Sequence, residues 1–458
     1  MSPYVRAALV AACLSLGVAS AAFAQSPNTT PPAAAPWRSS LDVTLFDAPH
    51  NGEHGLRAPS MQQSLDISIA GYEGMHGGIE KLFGARKKWG KAAIVFADLF
   101  TTLEVALPLT SVWVHEEFHR AAMGRRGVDS HNDVYDFNLG ADWIAVSHVA
   151  DEDLARLKRE HPAEWVRVNE AGIEGELMLV RDLERRRFFG KSTTWHLPLY
   201  WMTKLGTIGY VQSGSWDDAD ADVDEANIED GTNLDRRDFT GHDFLGWVYD
   251  LHRPEELYET RGQHPSGVGI DRYRKRAHLT DAEKEYLKLV GTLQWLNLVD
   301  PFLFGLNDGI ALGSGANPVR VSAGLSHYLT SFGYSVDANL LARRGNAHLA
   351  VTLHSYKNRD NRFAGLETEL LDYPVTVAGR DWQVSPRLAL WSQPERQRFD
   401  ATEGALGGLA GVRVRTAVSR RVAAFVDVET KSAGWVAGNA YLDRNTSLRV
   451  GVSLLAAR

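Results

Sequence analysis

Apolar and polar side chains alternate from Val319 to the end of the chain, and this period of two constrains the fold more than any other feature of the sequence. The alternation runs in segments of about ten residues that are separated by turn residues. Successive side chains of a strand point to opposite faces of a sheet, so each segment predicts a strand with one apolar and one polar face. Between residues 319 and 455 the pattern indicates about eight antiparallel strands.

The polar face of these predicted strands carries charges of both signs at regular positions. They are Arg320, Asp337, Glu367, Arg387, Arg413, Arg415, Asp427, Glu429 and Arg449. In a soluble sandwich, the apolar faces would meet in a core and the charges would face water. In an outer-membrane β-barrel, the apolar faces would meet lipid and the charges would pair inside. Because the charges recur so regularly, we predict that residues 317–458 form an antiparallel barrel in the outer membrane, with a soluble periplasmic sandwich as the alternative.

This tail resembles small outer-membrane β-barrels over its final stretch of about 140 residues. The resemblance implies that the apolar side chains contact lipid. The tail departs from that pattern at Leu454 to Arg458, which lack the usual terminal aromatic residue.

The first 24 residues predict a secretory signal peptide. Arg6 gives a positive start, Ala7 to Val18 form an apolar stretch, and Ala22-Phe23-Ala24 is a small-x-small cleavage site before Gln25. Cleavage would take the net charge from −8 to −9 and remove Cys13, the only cysteine. The mature protein would then have neither a disulfide nor a cysteine-based metal site.

The chain between signal and tail divides into a linker and a mainly helical domain. Residues 25–40 are rich in proline and alanine and predict a linker. Residues 41–313 predict a helical metal-binding domain, interrupted by short strands at 41–45 and 65–69 and by an acidic loop at 213–238. The predicted fold class is therefore α+β, with this domain followed by the barrel.

The segment His115-Glu116-Glu117-Phe118-His119 places two histidines four residues apart in a predicted helix. Residues at this spacing lie on one face, one turn apart, so both imidazoles can reach one metal ion. Neutral imidazole suits zinc, and a catalytic zinc site uses three protein ligands and leaves a position for water. Glu116 stands where it can act as the general base. The segment therefore predicts a hydrolytic zinc site with Glu116 as its catalytic residue.

A third ligand is required, and the predicted helix at 163–180 offers acidic candidates. Glu170 and Glu174 share one face of it. Glycine within a helix costs about 1 kcal/mol of stability relative to alanine. Gly172 and Gly175 therefore indicate close packing against another helix, which we expect to be the histidine helix. We predict Glu174 as the third zinc ligand, with Glu170 as the second choice.

Residues 108–180 resemble the gluzincin class of zinc metallopeptidases. In that class a His-Glu-x-x-His helix is followed by a helix whose glutamate, often in a Glu-Gly pair, is the third ligand. Glu174-Gly175 matches this pair, and Asn169-Glu170 matches a related form. The resemblance implies a hydrolase that acts on a peptide or protein substrate with Zn²⁺, here facing the periplasm.

Two other interpretations remain open at this point. The run from His115 to Val128 also resembles the intramembrane site-2 proteases, whose third ligand is an aspartate on a distant helix, and Asp300 is the candidate here. Asp98 and Glu104 argue against this reading, because charged groups are costly in lipid. The other interpretation is an outer-membrane barrel protein whose metal domain is structural or vestigial and not catalytic.

The sequence also bears on two other ligands, nucleic acid and calcium. The net charge of −8 and the absence of a basic stripe with interleaved aromatic residues argue against a nucleic-acid partner. Within residues 217–229, acidic side chains follow the spacing of a calcium loop, although Val223 stands where such a loop requires glycine. A solvated acidic segment explains this spacing better.

Overall fold

A computed structural model defines the architecture of the chain. The predicted signal peptide and most of the linker lie outside the residues that it describes. The described residues are 40–55, 58–84, 87–104, 107–136, 144–230, 233–315 and 317–455.

Ten α-helices in the described residues all precede the long run of strands. They are α1 (His50–His54), α2 (Met61–Phe83), α3 (Lys88–Leu99), α4 (Ser111–Gly124), α5 (Asp151–Glu160), α6 (Pro162–Phe188), α7 (Leu197–Ser213), α8 (Ala219–Asp230), α9 (Asp243–His252) and α10 (Asp281–Leu293). A π-helical turn, Phe100–Glu104, continues α3. Short 3₁₀ turns occupy Asp133–Asp136, Leu234–Arg236, Tyr258–Arg261, Arg276–His278, Gln294–Leu298, Pro301–Phe304 and Glu395–Gln397.

Eleven antiparallel strands form one large sheet, and two more form a small one. The strands are β1 (Ser40–Ala48), β2 (His131–Asn132), β3 (Val146–Ser147), β4 (Ile310–Leu312), β5 (Val319–Thr330), β6 (Gly333–Arg344), β7 (Ala347–Lys357), β8 (Arg362–Leu370), β9 (Tyr373–Val377), β10 (Arg380–Pro394), β11 (Gly404–Ala417), β12 (Val422–Lys431) and β13 (Asn445–Leu455). The large sheet has the order β1-β13-β12-β11-β10-β8-β7-β6-β5-β4, with β9 paired to β10, and β2 pairs with β3. The predicted mixed α+β class is confirmed.

The large sheet is open in the described part of the chain, because β1 and β4 stand at its two edges and do not pair. Helices occupy the space between these edges. Helix α2 packs against β1, α3 against α2, and α7 against α3, and the turn Pro301–Phe304 packs against both α7 and β5. Contacts between these helices and turns thus lead from β1 at one edge of the sheet to β5, the neighbour of β4 at the other edge.

The two faces of the sheet are inverted relative to a soluble protein. Val450 and Val426 point outward and keep about two fifths of their surface exposed, at 40% and 43%. On the other face, Arg449 and Asp427 are buried, at 7% and 9%, and their charged groups pair at 3.3 Å. The apolar face is therefore exposed and the charged face is buried. The alternation in the sequence gives two faces but does not say which of them is buried.

The charged face is covered by the helices. Arg185 of α6 pairs with Glu369 of β8, and Asp66 of α2 accepts hydrogen bonds from the backbone N–H and the hydroxyl of Thr44 in β1. Helices and strands contribute to one continuous hydrophobic core. The predicted boundary near residue 313 therefore separates two parts of the chain that pack on each other, and β1 reaches across it to β13.

Two local predictions are wrong. Residues 65–69 belong to helix α2, because Ser60 and Gln63 form a capping box that starts a helix and the apolar positions of α2 pack inward. The acidic segment predicted as a loop contains helix α8. Its Asp220 carboxylate accepts hydrogen bonds from the backbone N–H groups of Arg276 and Ala277, so it caps a neighbouring turn and does not close a calcium loop.

No helix among the described residues is both long enough and apolar enough to cross a membrane.

Candidate metal centre

Helices α4 and α6 approach each other closely, and two glycines of α6 make this possible. A β-carbon added at Gly175 would lie 2.8 Å from the ring of Phe118, and one at Gly172 would lie 2.3 Å from Nε2 of His115. Contacts this short leave no room for any side chain. The close packing of the two helices that the mid-helix glycines predict is confirmed.

His115 and His119 lie side by side on the buried face of α4. Their ring centroids are 4.8 Å apart, and both residues are buried. This follows from the spacing of four residues, which stacks the two side chains one turn apart.

The outer nitrogen of each imidazole is held by a group that only accepts hydrogen bonds. Nδ1 of His115 lies 2.9 Å from Oε1 of Glu176, and Nδ1 of His119 lies 2.6 Å from the carbonyl oxygen of Val168. Both Nδ1 atoms therefore carry the proton and donate. In the neutral imidazole, Nε2 then keeps its lone pair, which is the arrangement that orients histidine as a metal ligand.

The two Nε2 atoms converge on a third side chain, Asp243. Its Oδ2 lies 3.2 Å from Nε2 of His115 and 3.3 Å from Nε2 of His119. The three ligand atoms all lie within 4.8 Å of one another. Within the described residues, Nε2 of His119 makes no well-formed hydrogen bond, although buried polar atoms are normally satisfied. The set is a fit for a divalent cation bound by two imidazoles and one carboxylate.

Asp243 is placed by the start of helix α9. It is the first residue of that helix, and the preceding His242 caps it by accepting a hydrogen bond from the N–H of Phe244. The other ring nitrogen of His242 lies 2.9 Å from the hydroxyl of Ser213 at the end of α7. Three helices, α4, α7 and α9, thus fix the carboxylate opposite the histidines.

The carboxyl group of Glu116 adjoins this centre and makes no hydrogen bond or ion pair with the other described residues. Burial raises its pKa to about 8, against the nearby positive charge of His115, and Asp243 and Asp133 raise it further. The residue next to it in the chain is different, because Glu117 is bound by Arg120 at 2.7 Å and by Asn132 at 2.9 Å. Glu116 is the acidic side chain of the motif that is free to exchange a proton.

The protonation of the ligands reflects their mutual attraction. Burial alone would lower the pKa of His115, but its hydrogen bonds to Asp243 and Glu176 outweigh burial, so the pKa is raised well above its usual value. Burial alone would raise the pKa of Asp243, but the charges of His119 and His115 hold it well below its usual range. The two imidazoles and the carboxylate therefore attract each other at the point where a cation would fit.

The two glutamates predicted as third ligands lie elsewhere. Glu174 is bound by both terminal nitrogens of Arg167, at 2.6 and 2.7 Å, and Glu170 is bound by Arg167 at 2.7 Å and by the indole N–H of Trp435 at 3.0 Å. Because residues 170 and 174 face away from Gly172, which lies against the histidines, their shared face cannot meet the same ion. Asp243, and not Glu174 or Glu170, lies beside the two histidines.

Asp300, the candidate in the intramembrane interpretation, is also engaged elsewhere. It forms an ion pair with Lys204 of α7, which also contacts Glu184 of α6 at 3.0 Å. It has no contact with His115 or His119.

A second group of possible ligands lies beside the first. His131, Asp133 and Asp136 offer ligand atoms within 4.8 Å of one another, and Nε2 of His131 lies 3.1 Å from Asp136. His131 and Asp133 are half-buried and only Asp136 is exposed, and Asp133 is already bound by the hydroxyl of Ser147. It borders the buried centre and shares no side chain with it.

Two residues that contact His115, Asp243 and Glu176, were not predicted from the sequence. Asp243 lies 128 residues from His115 along the chain, and a lone aspartate after Gly241-His242 matches no short motif. Glu176 is one of several acidic residues in α6, and nothing in its spacing separates it from Glu174.

Comparisons of the chain with protein-family models, with curated proteins and with solved structures found no match in any of the three.

Proposed function

We propose that this protein is a zinc-dependent hydrolase of the cell envelope, a metallopeptidase that acts on peptide or protein substrates. His115, His119 and Asp243 would bind Zn²⁺, and Glu116 would serve as the catalytic base. The observation that carries this proposal is the convergence of two Nε2 lone pairs and one carboxylate oxygen on one point, with both Nδ1 atoms held by acceptors.

The donor set supports zinc over other divalent ions. Two imidazoles and one carboxylate are a ligand combination of catalytic zinc, whereas calcium and magnesium prefer oxygen ligands alone. Glu176 on His115 matches the carboxylate–histidine pairs that orient zinc ligands. A bound zinc ion would supply Lewis-acid polarisation at this point.

The free carboxyl of Glu116 favours catalysis over a structural metal. A purely structural site has no use for a buried acid beside the ligands, because burying it costs free energy without a compensating contact. A carboxyl group beside a bound metal ion is suited to take a proton from water and pass it to a leaving amine. Glu116 is therefore assigned the proton transfer, and Glu176 the positioning of His115.

The location proposed is the outer membrane, with the metal centre accessible from the periplasm. The support is the exposed apolar face of the large sheet together with its charged interior. Arg387 pairs there with Glu367 at 3.0 Å, and Arg413 pairs with Asp427 at 3.1 Å. In lipid such a face is favourable, and in water it would be a large exposed apolar surface. Helices between the edges of the open sheet would complete the wall.

The test combines metal analysis with peptide cleavage on the purified mature chain. His115→Ala is expected to lose zinc, whereas Glu116→Gln is expected to keep zinc and lose turnover by at least about a hundredfold. His278→Ala, at an exposed histidine of a distant turn, is the matched control and should change neither. If Glu116→Gln keeps both zinc and full turnover, or if the wild-type chain binds zinc without cleaving peptides, the catalytic proposal fails and the structural metal domain replaces it.

A further inference from the structure

Helices α2 and α3 form a hairpin whose tip exposes large apolar side chains. Leu82 is 81% exposed and Trp89 is 79% exposed. These values are extreme for such side chains, and contiguous exposed apolar groups mark interaction surfaces. We use the term hairpin tip for residues 81–91, of which 85 and 86 lie outside the described residues.

The described residues on the two sides of positions 85 and 86 pack on each other. Gly84 ends α2 with φ of +86° and donates its N–H to the carbonyl of Glu80 at 2.8 Å. A β-carbon on Gly90 would lie 2.6 Å from the carbonyl oxygen of Gly84. The first turn of α3 therefore packs directly on the end of α2, and the exposed side chains are presented by folded backbone.

Helix α3 buries a narrow side and leaves Trp89, Phe96 and Leu99 exposed. Gly90, Ile94 and Asp98 are its buried residues, and Asp98 contacts Nε2 of His76 in α2 at 2.6 Å. Phe96 lies on the opposite, exposed side. A helix at the surface of a soluble protein has the reverse arrangement. Asp98, an apparent obstacle to contact with lipid, points inward and is paired.

The charge of the hairpin tip opposes that of the whole chain. The net charge of the protein is −8, yet residues 81–97 contain five basic residues and no acidic one. Lys81, Lys87, Lys88 and Lys91 are all exposed. Lys91 lies over the ring of Trp195, and no ion pair involves any of the four within the described chain.

Exposed leucine, phenylalanine and tryptophan next to unpaired lysines fit the interface of a bilayer. Tryptophan and lysine are the residues that anchor proteins at the level of the headgroups, and clusters of basic residues are attracted to anionic lipid. An acidic protein surface would use the lysines but would leave Leu82 and Trp89 without an apolar counterpart.

We propose that the hairpin tip inserts into the headgroup region of a bilayer that contains anionic lipid. Leu82, Phe83 and Trp89 then contact the acyl boundary, and the lysines contact phosphate groups. This contact is separate from both the metal centre and the lipid contact of the large sheet, and neither is needed for it.

The experiment uses single cysteines that carry a polarity-sensitive fluorophore. The chain has only Cys13, within the predicted signal peptide, so a mature chain starting at Gln25 has no competing thiol. Leu82→Cys reports on the hairpin tip. Ile228→Cys, an 80% exposed position on α8, is the matched aqueous control. The full mature chain is placed in phosphatidylcholine vesicles with and without phosphatidylglycerol.

The quantity measured is quenching by neutral acrylamide. In vesicles with phosphatidylglycerol, the label at 82 should be quenched on the order of fivefold less than the label at 228, and less than in phosphatidylcholine alone. Lys87→Glu/Lys88→Glu should raise quenching at 82 toward the control value. Lys284→Glu/Lys288→Glu on α10 reverses the same number of charges elsewhere on the surface and should leave the quenching at 82 unchanged.

A third label at Val450→Cys separates this inference from the location proposed for the sheet. If the label at 82 is quenched as strongly as that at 228 while the label at 450 is protected, the hairpin inference is overturned and the sheet remains in lipid. If the label at 82 is protected and that at 450 is not, the hairpin contact stands and the sheet faces water. Equal protection at 82 with and without phosphatidylglycerol overturns the assignment to anionic lipid.

Discussion

Oδ2 of Asp243 lies 3.2 Å from Nε2 of His115, although the two residues are 128 positions apart in the chain. The contact joins the first residue of α9 to the middle of α4, and His119 meets the same oxygen at 3.3 Å. A carboxylate thus lies between two imidazole nitrogens whose partner nitrogens already donate, which is the arrangement that suits a bound cation.

Gly172→Ala should abolish zinc binding without unfolding the protein. A β-carbon there would lie 2.3 Å from Nε2 of His115 and 2.4 Å from Nε2 of His119, so it would occupy the place of the metal. Gly206→Ala in α7, which has nothing within 4 Å of the added carbon, is the matched control and should keep zinc. Zinc content and far-UV circular dichroism are measured on both, and full zinc content in Gly172→Ala would refute the location of the site.

Val450→Arg should block assembly into the outer membrane. Val450 points outward from β13, and a charge on a lipid-contacting strand costs about 2–4 kcal/mol at the middle of the bilayer. At the water-exposed surface of a soluble sandwich, the same change would cost about 0.5 kcal/mol or less. Val450→Leu is the control. Membrane fractionation measures the outcome, and normal recovery of Val450→Arg with a soluble periplasmic fraction would refute the membrane location.

The stability of the wild-type protein should fall between about pH 4 and pH 6 relative to Asp66→Asn. Burial raises the pKa of Asp66 to about 6 from 3.8, more than the charge of Arg413 and the hydrogen bonds from Thr44 lower it. The folded state therefore binds a proton that the unfolded state has released, so the contribution is fully present below pH 4 and lost as pH rises through 6. The expected difference is about 3 kcal/mol. Urea unfolding of both proteins across this range measures it, and a difference independent of pH would contradict the assignment.

The sequence predicted those features that depend on local spacing. The helix around His115 and His119 and the strands after Val319 follow from periods of four and two residues. The close approach at Gly172 and Gly175 follows from the cost of glycine within a helix. Residues 65–69 were predicted as a strand, but alternation over only five positions does not distinguish a strand from a helix. The capping box at Ser60 favours the helix.

The position of Asp243 beside the histidines could not be predicted because it depends on tertiary packing. Glu174 has the spacing and the neighbouring glycine of a known ligand pair, but Arg167 lies two turns before it on the same face and binds its carboxylate. Asp243 comes from another helix and carries no local signal. Likewise, the alternation of β5 to β13 gives two faces, and only the burial of Arg449 beside the exposure of Val450 shows which face is interior.

Calorimetric titration of zinc into the metal-free chain tests the proposed ligand set by comparing Asp243→Ala with Glu174→Gln, with the fold of each checked by circular dichroism. One ion is expected to bind the wild-type protein, Asp243→Ala should weaken its affinity by about a hundredfold or more, and Glu174→Gln should leave it unchanged. If Asp243→Ala binds zinc with wild-type affinity and Glu174→Gln loses zinc affinity, Glu174 and not Asp243 is the third ligand.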